Sequence, residues 1–317
     1  MALQIAVIDD WQDVASSVVD WSVLDSIGTV SFLHDYPADN ATLAKRLGDF
    51  EVICVMRERT RFDEDLLRRL PKLKLLVTGG MRNAALDLKA AAALGIQVCG
   101  TDSYKHAAPE LTWALIMAAT RNLVAEANAL RAGIWQQGLG GDLHGKTLAI
   151  LGLGSIGKRV AQFGQVFGMR VIAWSENLTA ERASEAGVTY VSKQQLFEQA
   201  DILSVHLVLS ERTRGIVDSQ ALNWMQPTAL LVNTARGPII DETALIKALQ
   251  KNRLGGAALD VFEQEPLPAN HPFRTLENVL ATPHVGYVSR QNYQMFFSQM
   301  IEDIQAWAAG APVRVLG

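Results

Sequence analysis

Six histidines are spread through the chain, and His284 has the most informative setting: "ATPHVGYVS", residues 281–289, directly after the apolar run "NVLA". Imidazole can give and take a proton near neutral pH, although a lone histidine ending an apolar strand is more often simply packed. Two other segments change that balance. "LLVNTARGPIIDETAL" places Arg236 after a buried-looking strand, just before Gly-Pro, and "ALDVFEQEPLP" places Asp260, Glu263 and Glu265 at the end of another. Arginine carries a permanent charge on a planar fork suited to a carboxylate. Each of these is an ordinary turn residue when taken alone. Together, three strand ends deliver a cation, a carboxylate and an imidazole, a set suited to moving a proton on a bound acid.

A fourth segment says what could accompany that chemistry. "TLAILGLGSIGKRVAQFGQVFGM" holds Gly152, Gly154 and Gly157 in G-x-G-x-x-G spacing, after one apolar run and at the opening of a helical pattern. In that context the glycines allow a tight turn, close approach to a pyrophosphate, and close packing of helix on strand. In an open parallel sheet, the strand ends that follow such a loop converge on the ligand crevice. The position expected to hold an acid for the adenosine ribose lies 18 residues beyond Gly157, in "VIAWSEN". Ser175 stands there and Glu176 follows, a mixed signal that favours NAD and leaves NADP open.

Ten segments look like buried strands: "QIAVIDD", "VICVM", "LKLLVTGG", "IQVCGT", "TLAILGLG", "RVIAWS", "ILSVHLVL", "ALLVNTA", "GGAALDV" and "NVLATPH". Amphipathic stretches such as "ADNATLAKRLGD", "FDEDLLRRL" and "DETALIKALQK" lie between many of them. Continuous apolar strands alternating with helices predict parallel sheets covered on both faces. The fold expected is α/β, with two doubly wound parallel-sheet domains. Residues 1–101 and 290–317 would form a flavodoxin-like substrate domain, and 102–289 an inserted Rossmann cofactor domain. "YKHAAPELTWALIMAATRNL" reads as a helix apolar on almost every face, needing cover from another domain or subunit. Tyr293, Phe296, Met300, Ile304 and Trp307 share one face of a terminal helix that could return to the first domain. The first strand is followed by no glycine loop, so no nucleotide is expected there.

The 317 residues are 49% hydrophobic and carry a net charge of -4, with no basic block. Nucleic-acid and membrane-surface partners are therefore not expected. Cys54 and Cys99 are flanked by Val or Ile and read as buried apolar residues, with no C-x-x-C to hold a metal. The opening "MALQIAVIDDW" has no signal-peptide pattern and no run reaches membrane-span length, which points to a cytoplasmic protein.

The glycine segment, "MQPTALLVNTARGPIIDETALIKALQKNRLGGAALDVFEQEPL" and "TPHVG" together resemble the D-isomer-specific 2-hydroxyacid dehydrogenase family, across nearly the whole chain. The resemblance implies nicotinamide-dependent reduction of a small 2-keto acid, such as glyoxylate or hydroxypyruvate, and a homodimer built on the cofactor domains. It makes Arg236 the residue that binds and polarises the substrate, His284 the general acid and base, and Glu265 the partner of His284. A carboxylate beside an imidazole favours its protonated form, so a proton is at hand as hydride arrives. Ser155 and Ile156 would lie on the pyrophosphate turn. His206, Thr213, Thr234 and Ala235 would line the cofactor, with Asp260 near the nicotinamide amide. Gly79 and Gly80 would offer their N–H groups to the substrate carboxylate.

Arg82 stands where many relatives have a smaller or acidic residue. It either faces solvent or could hold a second acidic group, which makes phosphoglycerate the alternative substrate. Tyr287 replaces a frequently small residue. His34, His106, His144 and His271 read as structural. No regulatory domain is expected after residue 317. An NAD-sensing protein-binding module on the same scaffold is the alternative from another class, against which the joint presence of Arg236, Glu265 and His284 weighs.

Overall fold

The computed structural model describes residues 2–34 and 39–317. It divides into two compact units, Met1–Tyr104 with Val288–Gly317, and Lys105–Tyr287. The joints differ by two or three residues from those expected at 101 and 290.

In the first unit, β1 (Leu3–Val7), β2 (Gly28–Phe32), β3 (Val52–Val55), β4 (Leu75–Thr78) and β5 (Gln97–Gly100) form one sheet in the order β2-β1-β3-β4-β5. All its strand pairs are parallel. This is the flavodoxin-type order. β3 and β4 are buried throughout, as expected for strands covered on both faces. The expected helical stretches appear at Asn40–Leu47 and Glu64–Arg68; Ala38, the first residue of the former stretch, lies outside the described residues. Asp39 and Asp63 cap these helices by accepting backbone N–H bonds, which satisfies donors that the first helical turn leaves open.

The turn after β1 is closed by one of its own side chains. Asp10 Oδ2 accepts the N–H groups of Val14 and Ala15 at 2.8 and 2.7 Å. An internal carboxylate thus occupies the place that an anion would take at the following helix start. His34, read as structural, lies with Nε2 3.3 Å from Asp13 Oδ1 and Nδ1 3.8 Å from Asp10 Oδ2.

The terminal helix, Arg290–Ala308, belongs to this unit. Tyr293, Phe296, Met300 and Ile304 are buried on it, and Trp307 is only half-buried. Asp303 on the same helix is fully buried and meets Arg314 Nε at 3.0 Å. Burial pushes its carboxyl up to about 7, against the pull of Arg314. An unfolded aspartate titrates near pH 3.9, so between about pH 4 and about pH 7 the folded chain binds the extra proton. The raised pKa gives stability that is present at low pH and is lost as pH rises through that window. Asp303→Asn should flatten this decline, measured as Tm between pH 4 and 8; parallel Tm profiles would exclude Asp303 as its source.

The second unit holds seven parallel strands: β6 (Thr147–Leu151), β7 (Arg170–Trp174), β8 (Thr189–Tyr190), β9 (Ile202–Val205), β10 (Leu230–Asn233), β11 (Gly256–Leu259) and β12 (Val279–Ala281). Their order is β12-β11-β10-β9-β6-β7-β8. The chain reverses direction across the sheet between β6 and β9, the switch point of a Rossmann-type arrangement. The greasy helix spans Ala107–Thr120, and in this unit it is covered by the helix Ser155–Val166: Trp113 stacks on Phe167 at 4.9 Å and donates from Nε1 to the Val160 carbonyl. Trp113, Leu115 and Ile116 of that helix are buried in this unit's core.

Candidate active site

Register places the chemistry on one edge of the second sheet. Trp174, Leu151, Val205, Asn233, Leu259 and Ala281 are direct neighbours along one row across the strands. The next residue of each strand therefore lies on the same carboxyl-terminal edge: Ser175, Gly152, His206, Thr234, Asp260 and Thr282. Successive positions along such a row are about 4.8 Å apart.

At the switch point, the Gly152 N–H donates to the Trp174 carbonyl at 3.0 Å and its φ is +105°. A Cβ there would stand 2.9 Å from the His206 backbone. Gly157 packs so tightly that a Cβ would lie 2.2 Å from the Gly152 carbonyl oxygen, whereas the space beside Gly154 is open. No side chain caps the helix that starts at Ser155. The N–H groups of Ser155, Ile156 and Gly157 have no acceptor among the described residues. A tight turn, open room and three unsatisfied donors at a helix start fit a pyrophosphate. Gly157→Ala must push this turn apart; NADH affinity should fall by more than about tenfold, 1.4 kcal/mol, with the circular dichroism spectrum kept. Wild-type affinity in a titration of the variant would show that the turn tolerates the methyl group.

The histidine is built by its neighbours. His284 has φ +53°, a left-handed conformation unusual for a residue with a side chain. Asp260, fully buried, holds the flanks of that turn. Its Oδ1 accepts from the Thr282 hydroxyl at 2.6 Å and Val285 N–H at 2.8 Å, and its Oδ2 from Gly286 N–H at 2.7 Å. Burial pushes the Asp260 carboxyl up, and these hydrogen bonds pull it back down. Asp260 thus braces the His284 turn, with three donors around its carboxylate. His284 Nδ1 meets Glu265 Oε2 at 2.6 Å, and Glu265 Oε1 accepts the Phe262 N–H at 2.9 Å. The pair is partly exposed, and Tyr287 sets its ring edge-on to His284 at 5.6 Å. Glu263, in contrast, bonds through its N–H to Glu242.

Arg236 follows β10 in a loop shaped by buried Asn233, whose amide donates to the Arg236 carbonyl at 3.0 Å and whose Oδ1 accepts from Ala235 N–H. Arg236 Nη1 donates to the Ala235 carbonyl at 2.7 Å. Thr234 shares a 2.8 Å hydroxyl bond with Thr112. Burial pushes the His206 ring down to about 3, and its Nε2 lies 2.8 Å from the Ser204 hydroxyl. It is neutral at physiological pH and suits a cofactor wall rather than proton transfer. The Thr213 hydroxyl is folded into its own turn, accepting from Ser210 N–H and donating to the Val208 carbonyl. His271 bonds Glu242 at 3.0 Å, and His106 lies 3.2 Å from Arg159.

The first unit corrects an expectation. The Gly79 N–H donates to the Val55 carbonyl, and the Gly80 N–H to the Thr101 hydroxyl at 2.8 Å. Both amides are spent inside the fold. The N–H groups that follow, from Met81 to Ala84, have no acceptor among the described residues. The Arg82 side chain is exposed. Arg57, after β3, has φ +55° and lays its guanidinium where a Cβ on Gly80 would stand. The sequence signal for it was a charged pair, Arg57 and Glu58, directly after a fully apolar strand.

A sheet of this order with an open phosphate cradle at its switch point belongs to the dinucleotide-binding proteins. The imidazole–carboxylate pair after β12 adds an acid–base group. Residues 113–286 match the family model described as D-isomer specific 2-hydroxyacid dehydrogenase, NAD binding domain. The glyoxylate reductase of Aeropyrum pernix is 40% identical over 79% of this chain and 78% of its own length. The D-3-phosphoglycerate dehydrogenase of Methanocaldococcus jannaschii is 35% identical over 83% of this chain, which spans half of that longer protein. The crystal structure of phosphoglycerate oxidoreductase from Vibrio cholerae superposes with a TM-score of 0.94 at 40% identity, covering 98% of this chain and 100% of that one. The chain belongs to the D-isomer specific 2-hydroxyacid dehydrogenase family. It is an NAD(P)-dependent oxidoreductase acting on the CH–OH group of a 2-hydroxy acid.

Proposed function

We propose that the enzyme reduces a small, unphosphorylated 2-keto acid of the glyoxylate or hydroxypyruvate type to the D-2-hydroxy acid, with His284 as proton carrier. The observation that carries this reading is the 2.6 Å contact between His284 Nδ1 and Glu265. With Nδ1 committed to the carboxylate, Nε2 is the atom that hands a proton to the substrate carbonyl oxygen and takes it back in the oxidation. A bound reduced nicotinamide supplies the hydride to the carbonyl carbon. Arg236 offers its fork to the substrate carboxylate and keto oxygen, drawing electron density from the carbon that is attacked. Asp260 holds the His284 turn in place and touches no reacting atom.

The small substrate is supported by the likeness to a glyoxylate reductase along most of both chains, and the likeness to a phosphoglycerate oxidoreductase, which is at least as long, makes phosphohydroxypyruvate its competitor. The reading includes a homodimer, because Trp135 and Leu139 are 76% and 96% exposed beside exposed Leu123 and Leu130; single chains rarely leave such an apolar patch to water. It also includes a cytoplasmic setting, in keeping with the free buried thiols of Cys54 and Cys99. No helix among the described residues is long and apolar enough to cross a membrane.

The test is oxidation of reduced nicotinamide against glyoxylate, hydroxypyruvate, pyruvate and phosphohydroxypyruvate. Turnover on the first two is expected. Preference for phosphohydroxypyruvate would overturn the substrate assignment, and silence on every keto acid despite tight binding of the dinucleotide would overturn the reaction.

A further inference from the structure

Resting on the acid–base reading of His284 and Glu265, we propose that Glu242, backed by His271, is a positioning residue for Glu265. It acts through the peptide bond between Phe262 and Glu263. The Phe262 N–H donates to Glu265 Oε1 at 2.9 Å, and the other oxygen of Glu265 meets His284 Nδ1. The next N–H along, that of Glu263, donates to Glu242 Oε2 at 3.1 Å. A shift of Phe262 carries the Glu265 carboxylate with it, and Glu242 holds the residue that follows.

The same peptide is packed against the arginine side of the site. A Cβ on Gly237, the residue after Arg236, would collide with the Phe262 carbonyl and stand 2.5 Å from the Glu263 nitrogen. Glu242 opens the helix Glu242–Gln250, a few residues beyond this turn. One carboxylate thus ties the segment after β10, which carries Arg236, to the segment after β11, which carries Glu265. A glutamate in a first helical turn is favourable without any such partner. Here both of its oxygens are in use.

The second oxygen fixes the residue type. His271 Nδ1 accepts the Phe273 N–H at 3.3 Å, so in the neutral ring the proton sits on Nε2. Nε2 then donates to Glu242 Oε1 at 3.0 Å. Glu242 therefore faces two donors, a backbone N–H and an imidazole N–H, and only a carboxylate accepts from both. Glutamine turns its NH2 toward one or the other. The His271 and Glu242 side chains are 13% and 18% exposed, which leaves water little room to replace either bond. Phe273 adds support from the apolar side, its ring 4.9 Å from His271 and 6.2 Å from Phe262.

Turnover of Glu242→Gln separates positioning from mere stability. The keto acid is the one of glyoxylate, hydroxypyruvate, pyruvate and phosphohydroxypyruvate that the wild type reduces fastest. The variant's kcat should fall by about tenfold, the scale of one charged hydrogen bond. Its KM and NADH affinity should hold within about threefold. In a Glu265→Gln background the same change should have no further effect, because a residue that acts through Glu265 has nothing left to position. A merely structural loss would add in full. His271→Gln, whose amide can donate from the place of Nε2, should keep more of kcat than His271→Leu. That pair reads the clamp from its other end if Glu242→Gln folds poorly. A wild-type kcat in Glu242→Gln, a loss that adds in full to that of Glu265→Gln, or equal kcat in the two His271 variants would overturn the proposal alone. A wild-type kcat in Glu265→Gln, or no turnover of any of the four keto acids by the wild type, would overturn the acid–base reading, and the proposal with it.

Discussion

Replacing His284 by Gln cuts turnover by about 10² to 10⁴, the usual worth of a positioned acid–base group, and leaves NADH affinity nearly unchanged. The two effects separate because the structure separates their sources. The proposed dinucleotide site is the turn between β6 and the Ser155–Val166 helix, where open N–H groups fit a pyrophosphate. His284 stands at the far side of the sheet edge, after β12, in a turn secured by Asp260. Glutamine can fill the space and keep a hydrogen bond to Glu265, but it cannot shuttle a proton at any ordinary pH. Glu265 should matter through the histidine. Both its oxygens are fixed, one by the Phe262 N–H and one by Nδ1, so it sets which ring nitrogen faces the substrate. Stopped-flow turnover and fluorescence titration on the same protein check the split. A wild-type kcat would remove His284 from the mechanism; a matching collapse of NADH affinity would mean that its role is structural.

The sequence made the central strands plain, since β6, β9, β10 and β11 lie between covering layers and read as unbroken apolar runs. Two strands were missed, β2 and β8. Both lie at sheet edges, where one side of the ladder is open and the pattern turns polar: β2 reads "GTVSF", and both residues of β8 are exposed. The strand ends made a histidine and a group of acids legible, and the family resemblance singled out Glu265 among Asp260, Glu263 and Glu265 as the partner of His284. The direction of Asp260 was not legible, because its three donors come from residues 22 to 26 positions later. Gly79 and Gly80 show the same limit. The family resemblance implies amides bared for a ligand, yet the acceptors that consume them, the Val55 carbonyl and the Thr101 hydroxyl, arrive from neighbouring strands. Local sequence shows which groups are available; only the register shows which are already spent.

Arg236→Lys tests whether shape matters as much as charge. Asn233 fixes the loop from both sides, and Arg236 Nη1 is bound to the Ala235 carbonyl. That bond orients the plane of the guanidinium. An ammonium keeps the charge and loses the plane: its donors spread around one nitrogen, and a shorter reach sets it back from the substrate. Losing one or two charged hydrogen bonds at about 1.5–3 kcal/mol each lowers kcat/KM by about 10²-fold or more. Part of the loss should fall on kcat, because Arg236 is assigned to the keto oxygen as well as to the carboxylate, and polarisation of the carbonyl grows as hydride arrives. A rise in KM with kcat unchanged would confine Arg236 to anchoring the carboxylate. A wild-type kcat/KM would take it out of substrate recognition.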